Sequence, residues 1–442
     1  MRTFTCGILF CSRSALGGNR VPSVEQKFPF ALVREIDRVE QGRSILRKFA
    51  WTEPRTRNSV LTARRGVKMA RSVHAYVRGS TVKFYEWLDA QKRHSLPEGP
   101  PVWICGDCHA GNLGPVANAD GEVEIQIRDL DQTVIGNPAH DLIRLALSLA
   151  TASRGSNLPG ITIAKILENM IEGYASALAD EDVRLERPKA VGVAMKQAVA
   201  RSWKHLAKER IEDLKPTIPL GSKFWPLKKS ELLAIRRLFR TDDIANLPTL
   251  LRSRDDAARF DVVDSAYWMK GCSSLGLLRF AVLLQSQEDT ADLCLIDIKE
   301  AVAAAAPRYK RAKMPRDNAQ RIVEGARHLS PHLGERMAAG RLMDRSVFVR
   351  ELLPQDLKLE IEQLSQEEAA MAARYLAAVV GKAHGRQMDG QTRKSWASSL
   401  QSNHSKSLDA PSWLWSSVVA LIASHESAYL EHCRKYALEN AG

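Results

Sequence analysis

The chain has 442 residues, 45% apolar and 26% charged, a balance typical of a soluble globular protein with two lobes or two to three domains. Its 64 Lys and Arg residues exceed its 51 Asp and Glu residues by 13, which favours anionic partners such as nucleotides, phosphorylated metabolites or nucleic acid. No stretch approaches the roughly 18 to 20 uninterrupted apolar residues of a membrane-spanning helix, so we expect no membrane segment.

Helices dominate the expected structure towards both ends of the chain. Residues 1–44 are expected to form an N-terminal tail. Residues 189–239 are expected to form basic amphipathic helices. Apolar spacing predicts further helices over the following ranges: 45–88, 142–152, 161–178, 366–384 and 413–438. The basic runs, such as Lys223–Arg240 and Arg308–Lys313, are interpreted as solvated helix faces.

Strand patterns occur in two places. The apolar run 102–105 and the alternating run 122–127 predict two strands, which we expect to form a hairpin. Further on, the apolar runs 277–285 and 293–299 are joined by a polar loop, which predicts a second hairpin. A helix containing Ile322, Val323 and Ala326 is expected next, followed by a strand over 347–353 that Pro354 ends.

Four polar residues around the first strands suggest a reaction. Phosphoryl transfer needs a carboxylate to orient the attacking hydroxyl and oxygen ligands to hold magnesium against the phosphates. Asp107 and, five residues later, Asn112 supply a carboxylate and an amide on a tight loop. Asp129 and Asp131 follow the next strand and add the hard oxygen ligands that magnesium prefers. The segment therefore predicts a magnesium-dependent phosphoryl-transfer site.

Two family resemblances rest on this segment. The pattern Gly106-Asp107-x4-Asn112, followed by Asp129, Gly136-x-Pro138 and Asp141-Leu142, resembles the catalytic and metal-binding loops of aminoglycoside phosphotransferases and other protein-kinase-like enzymes. A bacterial family catalogued as domain of unknown function 2252 is more similar still, over about 68–384. Its resemblance rests on these strings: Arg78-Gly79, Gly106-Asp107-Cys108-His109, Asn112-Leu113-Gly114, Asp129-Leu130-Asp131 and Asp141-Leu142-Ile143-Arg144-Leu145.

The resemblance implies a role for each polar residue. Asp107 would be the catalytic carboxylate, and Asn112 and Asp129 would be metal ligands, with Asp131 assisting. Asp141 would be a buried brace that accepts hydrogen bonds from the catalytic loop. The phosphotransferases usually carry histidine where this chain has Cys105, so the role of that histidine is unfilled or passes to His109.

The nucleotide-binding half of such a site is expected downstream. In protein kinases a glycine-rich loop, a hairpin and a strand lysine form the nucleotide roof, and a helix glutamate pairs with the lysine. Here Gly271, Ser273 and Gly276 form a degraded glycine loop before the second hairpin. Lys299 ends that hairpin and Glu324 lies on the following helix. The roof thus follows the catalytic loop in sequence, which we interpret as a circular permutation of the kinase arrangement.

Together these patterns predict a helix-rich α+β protein with a permuted, protein-kinase-like bilobal fold. The expected parts after the tail are a helical lobe over 45–255 with the catalytic and metal-binding loops, a nucleotide-roof lobe over 256–360 with a small mixed sheet, and helices over 361–442 that return to the helical lobe. The expected function is ATP- and Mg²⁺-dependent phosphotransfer to an unknown small-molecule or protein acceptor. Seven scattered cysteines favour free thiols in a reducing cytoplasm. The oligomeric state stays undefined.

Other functions compete with this hypothesis. A pseudokinase or regulatory module could hold nucleotide without turnover, and transfer of the nucleotide moiety would use much the same residues. The basic charge prompts a nucleic-acid-binding alternative, but no aromatic residues are interleaved with the basic runs, so this class ranks last. The Cys105-Gly-Asp-Cys108 spacing fits a redox motif or half a zinc site, although a loop is expected there and no second C-x-x-C exists.

Overall fold

Apolar periodicity in this sequence gives both helices and strands, with helices covering more of the chain, and the α+β class is confirmed. The structure is a computed structural model. It describes these residues: 54–91, 95–155, 160–200, 217–251, 254–255, 257–272, 274–289, 292–356, 365–401, 404–405 and 408–440. The predicted tail 1–44 and Ser273 lie outside the described residues. Residues 51–442 form one compact unit.

The helices follow the predicted ranges closely and extend several of them. They are α1 (Pro54–Met69), α2 (Val73–Gly79), α3 (Thr81–Asp89), α4 (Pro138–Gly155), α5 (Gly160–Ala179), α6 (Lys189–Ala200), α7 (Lys229–Leu238), α8 (Asp242–Ala245), α9 (Asn318–Leu329), α10 (Pro331–Gly334), α11 (Gln366–Gly385), α12 (Gly390–Gln401) and α13 (Ser412–Asn440). Two short 3₁₀ turns cover Ala110–Asn112 and Leu247–Leu250.

The strands form one large sheet and several small ones. They are β1 (Val102–Ile104), β2 (Leu113–Ala117), β3 (Val123–Ile127), β4 (Val134–Gly136), β5 (Phe224–Trp225), β6 (Phe260–Trp268), β7 (Arg279–Ser286), β8 (Leu293–Glu300), β9 (Met337–Leu342), β10 (Arg345–Leu352), β11 (His404–Ser405) and β12 (Leu408–Pro411). The large sheet has the order β5-β6-β7-β8-β10-β9, and all its neighbouring strands are antiparallel.

The predicted hairpin of β7 and β8 is confirmed, and its side chains alternate between two faces. Ile296 and Ile298 join an apolar cluster on one face of the sheet. The intervening residues Asp297 and Lys299 belong to the opposite face, because successive strand residues point to opposite sides. The register places Lys299 between Arg279 on β7 and Phe348 on β10. The second face therefore carries buried charges next to the helical part of the chain.

The helical part has its own core, centred on α4, α5 and α11. Gly173 on α5 permits the close approach of α11, because a Cβ atom at this position would meet the backbone carbonyl of Arg374. Gly381 on α11 permits the same close approach from the other helix, because a Cβ atom at this position would lie 2.7 Å from the carbonyl oxygen of Tyr174. These two helices, far apart in sequence, thus pack backbone to backbone.

The predicted hairpin of 102–105 with 122–127 is wrong. Strand β3 pairs instead with β2, which precedes it by a tight turn, and β1 pairs with β4. The side-chain oxygen of Asn118 accepts hydrogen bonds from the amides of Asp120 and Glu122, and Gly121 adopts φ +83°. This turn stabilises the pairing of the strands closest to it.

The basic run Arg308–Lys313 was expected to form a solvated helix face. It is not a helix face, because it lies in the irregular segment between β8 and α9. Throughout the part of the chain that the structure describes, no helix is both long and apolar enough to cross a bilayer.

Candidate functional site

The loop after β1 is held by a buried carboxylate at the start of α4. Asp141 accepts hydrogen bonds from the backbone amides of Cys105 at 2.7 Å and Gly106 at 2.9 Å. Gly106 adopts φ +73°, a left-handed conformation that favours glycine. The predicted brace function of Asp141 is confirmed, because charge-assisted hydrogen bonds to two consecutive amides fix the backbone just before Asp107.

A chain of buried side chains extends this brace into the helical core. His384 on α11 lies with its Nε2 3.2 Å from Asp141 Oδ2 and its Nδ1 2.9 Å from the Tyr174 hydroxyl. The indole nitrogen of Trp396 donates to the same hydroxyl at 3.1 Å. Because His384 and Asp141 are fully buried, this network fixes the loop from behind.

Asp107 itself is buried and doubly engaged. Its Oδ1 accepts a hydrogen bond from Arg144 Nε at 2.8 Å, and its Oδ2 accepts one from the Thr81 hydroxyl at 2.9 Å. Burial raises the pKa of Asp107 above its usual value, although Arg144 and Thr81 oppose the rise. A carboxylate has about four lone-pair sites, so both oxygens can still accept a further hydrogen bond.

The two other predicted residues of this loop lie beside Asp107. Asn112 donates from Nδ2 to the Asp107 carbonyl oxygen at 3.0 Å. His109 is buried, and burial together with the nearby cations Arg78 and Arg144 holds its pKa well below the usual range. Its Nδ1 has no hydrogen-bond partner within the described ranges. His109 is therefore a neutral imidazole with an unused nitrogen next to the predicted catalytic carboxylate.

Lys299 joins the strand sheet to this acidic loop. Its Nζ lies 3.3 Å from Asp129 Oδ1 and contacts Asp131 Oδ2, and it also faces the ring of Phe348 at 5.9 Å. Lys299 is only 2% exposed, whereas the Asp129 side chain is 41% exposed. The predicted proximity of Lys299 and Asp129 is confirmed. A buried cation thus stands against two carboxylates, one of which reaches the surface.

The two carboxylates differ in their electrostatics. Burial and the neighbouring charge of Asp129 raise the pKa of Asp131 to about 6. Burial would also raise the pKa of Asp129, but Lys299, a hydrogen bond with Asp131 and the nearby Arg350 together outweigh burial and hold that pKa well below the usual range. Asp129 is therefore ionised at neutral pH, while Asp131 titrates close to neutrality.

Arginines that the motif analysis missed hold this loop in place. Arg321 on α9 donates to the carbonyl oxygens of Asp131 at 3.1 Å and of Thr133. Arg350 on β10 donates to the carbonyl of Arg128 at 3.0 Å and pairs with Asp297. The sequence spacing does not predict these roles, because an arginine within an amphipathic helix or strand pattern is normally interpreted as a solvated residue.

The degraded glycine loop lies in the connection from β6 to β7. Gly271 and Gly276 adopt φ +89° and +103°, which are conformations that favour glycine. Lys68 on α1 donates to the Gly271 carbonyl at 3.1 Å. Arg279, the first residue of β7, pairs in register with Lys299. The loop that carries Gly271 and Gly276 therefore leads into the strand next to the lysine.

Glu324 is not brought to the site. Its side chain is 40% exposed and lies 3.5 Å from Arg327 and 3.3 Å from His328 on the same helix. The expected pairing of Glu324 with Lys299 is wrong, because the lysine contacts Asp129 and Asp131 instead and α9 presents Arg321 to the acidic loop.

The cysteine pair of the loop does not resemble a redox centre. Cys105 and Cys108 are free, fully buried thiols, and Cys105 Sγ donates to the Asp129 carbonyl at 3.5 Å. The Cys105–Cys108 hydrogen bond and burial raise the pKa of Cys105. The same hydrogen bond lowers the pKa of Cys108, but burial and the nearby Asp141 and Asp107 outweigh it and raise that pKa. Low thiolate content and burial both oppose dithiol chemistry.

The oxygen atoms of the acidic loop fit a hard cation. Within the described residues no group of three or more His, Cys, Asp or Glu side chains is arranged to hold a metal ion. The candidate ligands are therefore two carboxylates, Asp129 and Asp131, and the amide of Asn112. One oxygen of Asp131, Oδ1, is buried without a hydrogen-bond partner within the described part of the chain. An all-oxygen set with an unused carboxylate oxygen suits magnesium better than softer metals.

The family resemblance is confirmed by comparison with protein families. The chain belongs to the bacterial family DUF2252, described as an uncharacterized protein conserved in bacteria, whose family model matches residues 57–435. No curated protein and no solved structure matches the chain. The resemblance to protein-kinase-like enzymes stays a prediction.

Proposed function

We propose that this member of the DUF2252 family is an ATP- and Mg²⁺-dependent phosphotransferase with a permuted, protein-kinase-like bilobal fold. The observation that carries the proposal is the contact of Lys299 with Asp129 and Asp131. The two partners Lys299 and Asp129 are 170 residues apart in the chain, so the fold assembles this buried charge cluster from distant segments. Perturbed, partly exposed charges of this kind occur preferentially at functional sites.

The order of elements around Lys299 supports the kinase-like interpretation. A glycine-containing loop joins β6 to β7, the lysine ends β8, helix α9 follows, and β10 then lies next to β8 in the sheet. A loop, hairpin, strand lysine and helix in this order are the parts of a kinase nucleotide roof. They come after the catalytic loop in this chain, as the circular permutation requires.

The residues of the site suit the steps of phosphoryl transfer. Lys299 would bind phosphate oxygens of ATP, and Asn112, Asp129 and Asp131 would hold magnesium. When bound, magnesium neutralises charge on the phosphates. Asp107 would accept a hydrogen bond from the acceptor hydroxyl and orient it, while Arg144 and Thr81 hold the carboxylate in place. Most of the catalysis would come from positioning and electrostatics.

Two observations favour a second candidate. Both oxygens of Asp107 already accept hydrogen bonds from Arg144 and Thr81, and Lys299 has no helix glutamate as partner among the described residues. A site in which Asp107 serves only to position the loop would suit nucleotidyl transfer, or nucleotide binding without turnover. The two candidates share the same nucleotide site and differ in the products formed from ATP.

A thermal-shift titration tests the shared nucleotide site. ATP is added with and without Mg²⁺ to the wild type, to Asp129→Asn and to Asp182→Asn, a control that removes an exposed carboxylate. We expect a Mg²⁺-dependent rise in melting temperature that only Asp129→Asn loses. At ATP concentrations 100-fold above Kd, binding stabilises the folded state by about 2.7 kcal/mol. Equal shifts in all three proteins, or none, would overturn the proposal.

Product analysis separates the two candidates. Chromatography of ATP incubated with the protein would show ADP from phosphoryl transfer to an acceptor or water, and AMP with pyrophosphate from nucleotidyl transfer. A Mg²⁺-dependent shift without either product would identify a nucleotide-binding module. Lys299→Met should abolish any turnover, whereas the exposed control Lys196→Met should retain it.

A further inference from the structure

The segment 301–317 between β8 and α9, here called the basic strap, carries an unusual density of exposed charge. Five cations occur within nine residues: Arg308, Lys310, Arg311, Lys313 and Arg316. All are exposed, and none forms an ion pair with any residue that the structure describes. The helix-face interpretation of this run does not apply here, since the strap has no helix.

Hydrogen bonds anchor the strap at several points. The amide of Ala305 donates to the side-chain oxygen of Gln132 at 2.7 Å, and the amide of Tyr309 donates to the Ile135 carbonyl at 2.9 Å. The Tyr309 hydroxyl donates to the Gly99 carbonyl at 2.6 Å. An exposed charged segment that is tied down in this way presents its cations without the entropic cost of ordering a free loop.

The strap lies against the candidate site. It begins two residues after Lys299, and its anchor Gln132 directly follows Asp131. Ala306 approaches the catalytic loop so closely that a Cβ atom on Gly106 would lie 3.1 Å from its methyl group. Arg321, which donates to the Asp131 carbonyl, also donates to the Val302 carbonyl at 2.9 Å. The start of the strap, residues 302–306, therefore packs against the two loops of the site, and the cations follow it in the chain from Arg308 onward.

We propose that the basic strap docks an acidic polypeptide segment and that the phosphoryl acceptor is a protein bearing such a segment. The identity of the phosphoryl acceptor rests on the proposed function, whereas the docking of an acidic segment does not. Cations that follow one another along an irregular segment complement a row of carboxylates. Nucleic acid is less well matched, because the one aromatic residue of the strap, Tyr309, is half-buried and hydrogen-bonded, so no stacking platform is presented.

The docking is tested by fluorescence anisotropy with the full chain and no nucleotide. The probe is a fluorescein-labelled peptide of glutamates interrupted by one serine, at low ionic strength, where exposed charges are least screened. The strap variant replaces Arg308, Lys310, Arg311 and Lys313 with Gln. Its matched control replaces four cations with Gln in the basic run around α7, all of them exposed: Lys229, Arg236, Arg237 and Arg240.

We expect the strap variant to bind the peptide at least about tenfold more weakly than wild type, and the control to bind within about threefold of it, because contributions of several exposed charge pairs accumulate. A variant with Arg308→Lys and Arg311→Lys, which keeps the charge, should bind like wild type. Equal losses in the strap variant and the control would overturn the proposal, since total charge would then explain binding.

Two further measurements distinguish an acidic polypeptide from nucleic acid, and the docking from the acceptor role. A single-stranded oligonucleotide of equal charge that binds more tightly than the peptide, with the same dependence on the strap, would overturn the acidic-polypeptide assignment. The Mg²⁺-ATP thermal shift, measured on the strap variant, should equal that of wild type. Peptide binding without any Mg²⁺-ATP shift would leave the docking surface standing and remove the acceptor role, so the two failures are distinguishable.

Discussion

Replacing Asp131 with Asn should change how stability depends on pH. Burial and the charge of Asp129 raise the pKa of Asp131 to about 6, whereas an aspartate in an unfolded chain titrates near 3.9. Between these values the folded protein binds more protons than the unfolded chain. Stability from this group is therefore fully present below the unfolded pKa and is lost as the pH rises through about 6.

The magnitude follows from the size of the pKa difference. A pKa difference of about 2 corresponds to about 3 kcal/mol over the whole pH window, of which about 1 kcal/mol is lost between about pH 5 and pH 8. Asp129 works in the opposite direction, because its pKa is held low: its contribution is lost only as the pH falls below the unfolded value. Asp131→Asn keeps the partner Lys299 paired with Asp129 while removing the titration.

Urea unfolding at pH 5 and pH 8 measures this difference. Between pH 5 and pH 8 we expect the free energy of unfolding of wild type to fall by about 1 kcal/mol more than that of Asp131→Asn. Titrating groups away from Asp131 contribute equally to both proteins and cancel, and Asp129, whose pKa is held well below the usual range, stays ionised over this pH interval. Asp182→Asn, at an exposed position, should follow wild type. An identical pH response in wild type and Asp131→Asn would refute the electrostatic reasoning.

Two predictions concern the support of the catalytic loop. Gly106→Ala should lower the free energy of unfolding by more than about 3 kcal/mol, because left-handed backbone strain adds to a clash with the backbone of Gln132. Gly121 has a similar φ but open space around it, so Gly121→Ala should cost only about 1 to 2 kcal/mol. Similar losses for the two variants in urea unfolding would contradict this reasoning. His384→Leu should cost about 1 to 3 kcal/mol, because the buried carboxylate of Asp141 and the buried hydroxyl of Tyr174 each lose one hydrogen-bond partner; unchanged unfolding would disprove this role.

Local patterns were sufficient for several elements of the fold. The hairpin of β7 and β8 was predictable because two apolar runs flank a short polar loop. Helix α11 was predictable because its alanine-rich sequence has a long helical period and begins at a capping box formed by Ser365 and Glu368. The neighbourhood of Lys299 and Asp129 was also anticipated, from the shared order of motifs rather than from any local pattern.

Other features depend on long-range contacts and could not be read from the chain. The partner of β1 is a strand of three residues, and β2 contains Gly114 and Pro115, which resemble a loop. The engagement of Asp107 by Arg144 depends on how α4 packs against the loop. Glu324 had the expected position in sequence, but the rotation of α9 turns Arg321 towards the site instead.

The wide separation of the paired segments has a consequence for biosynthesis. Asp141 is made 243 residues before its partner His384, and Asp129 is made 170 residues before Lys299. A nascent chain that ends just after α5 therefore carries the acidic loop without Lys299, and it carries α5 without its packing partner α11. Such high contact order slows folding and exposes apolar surface until the last third of the chain is available. Chains truncated before α11 should accordingly aggregate rather than fold.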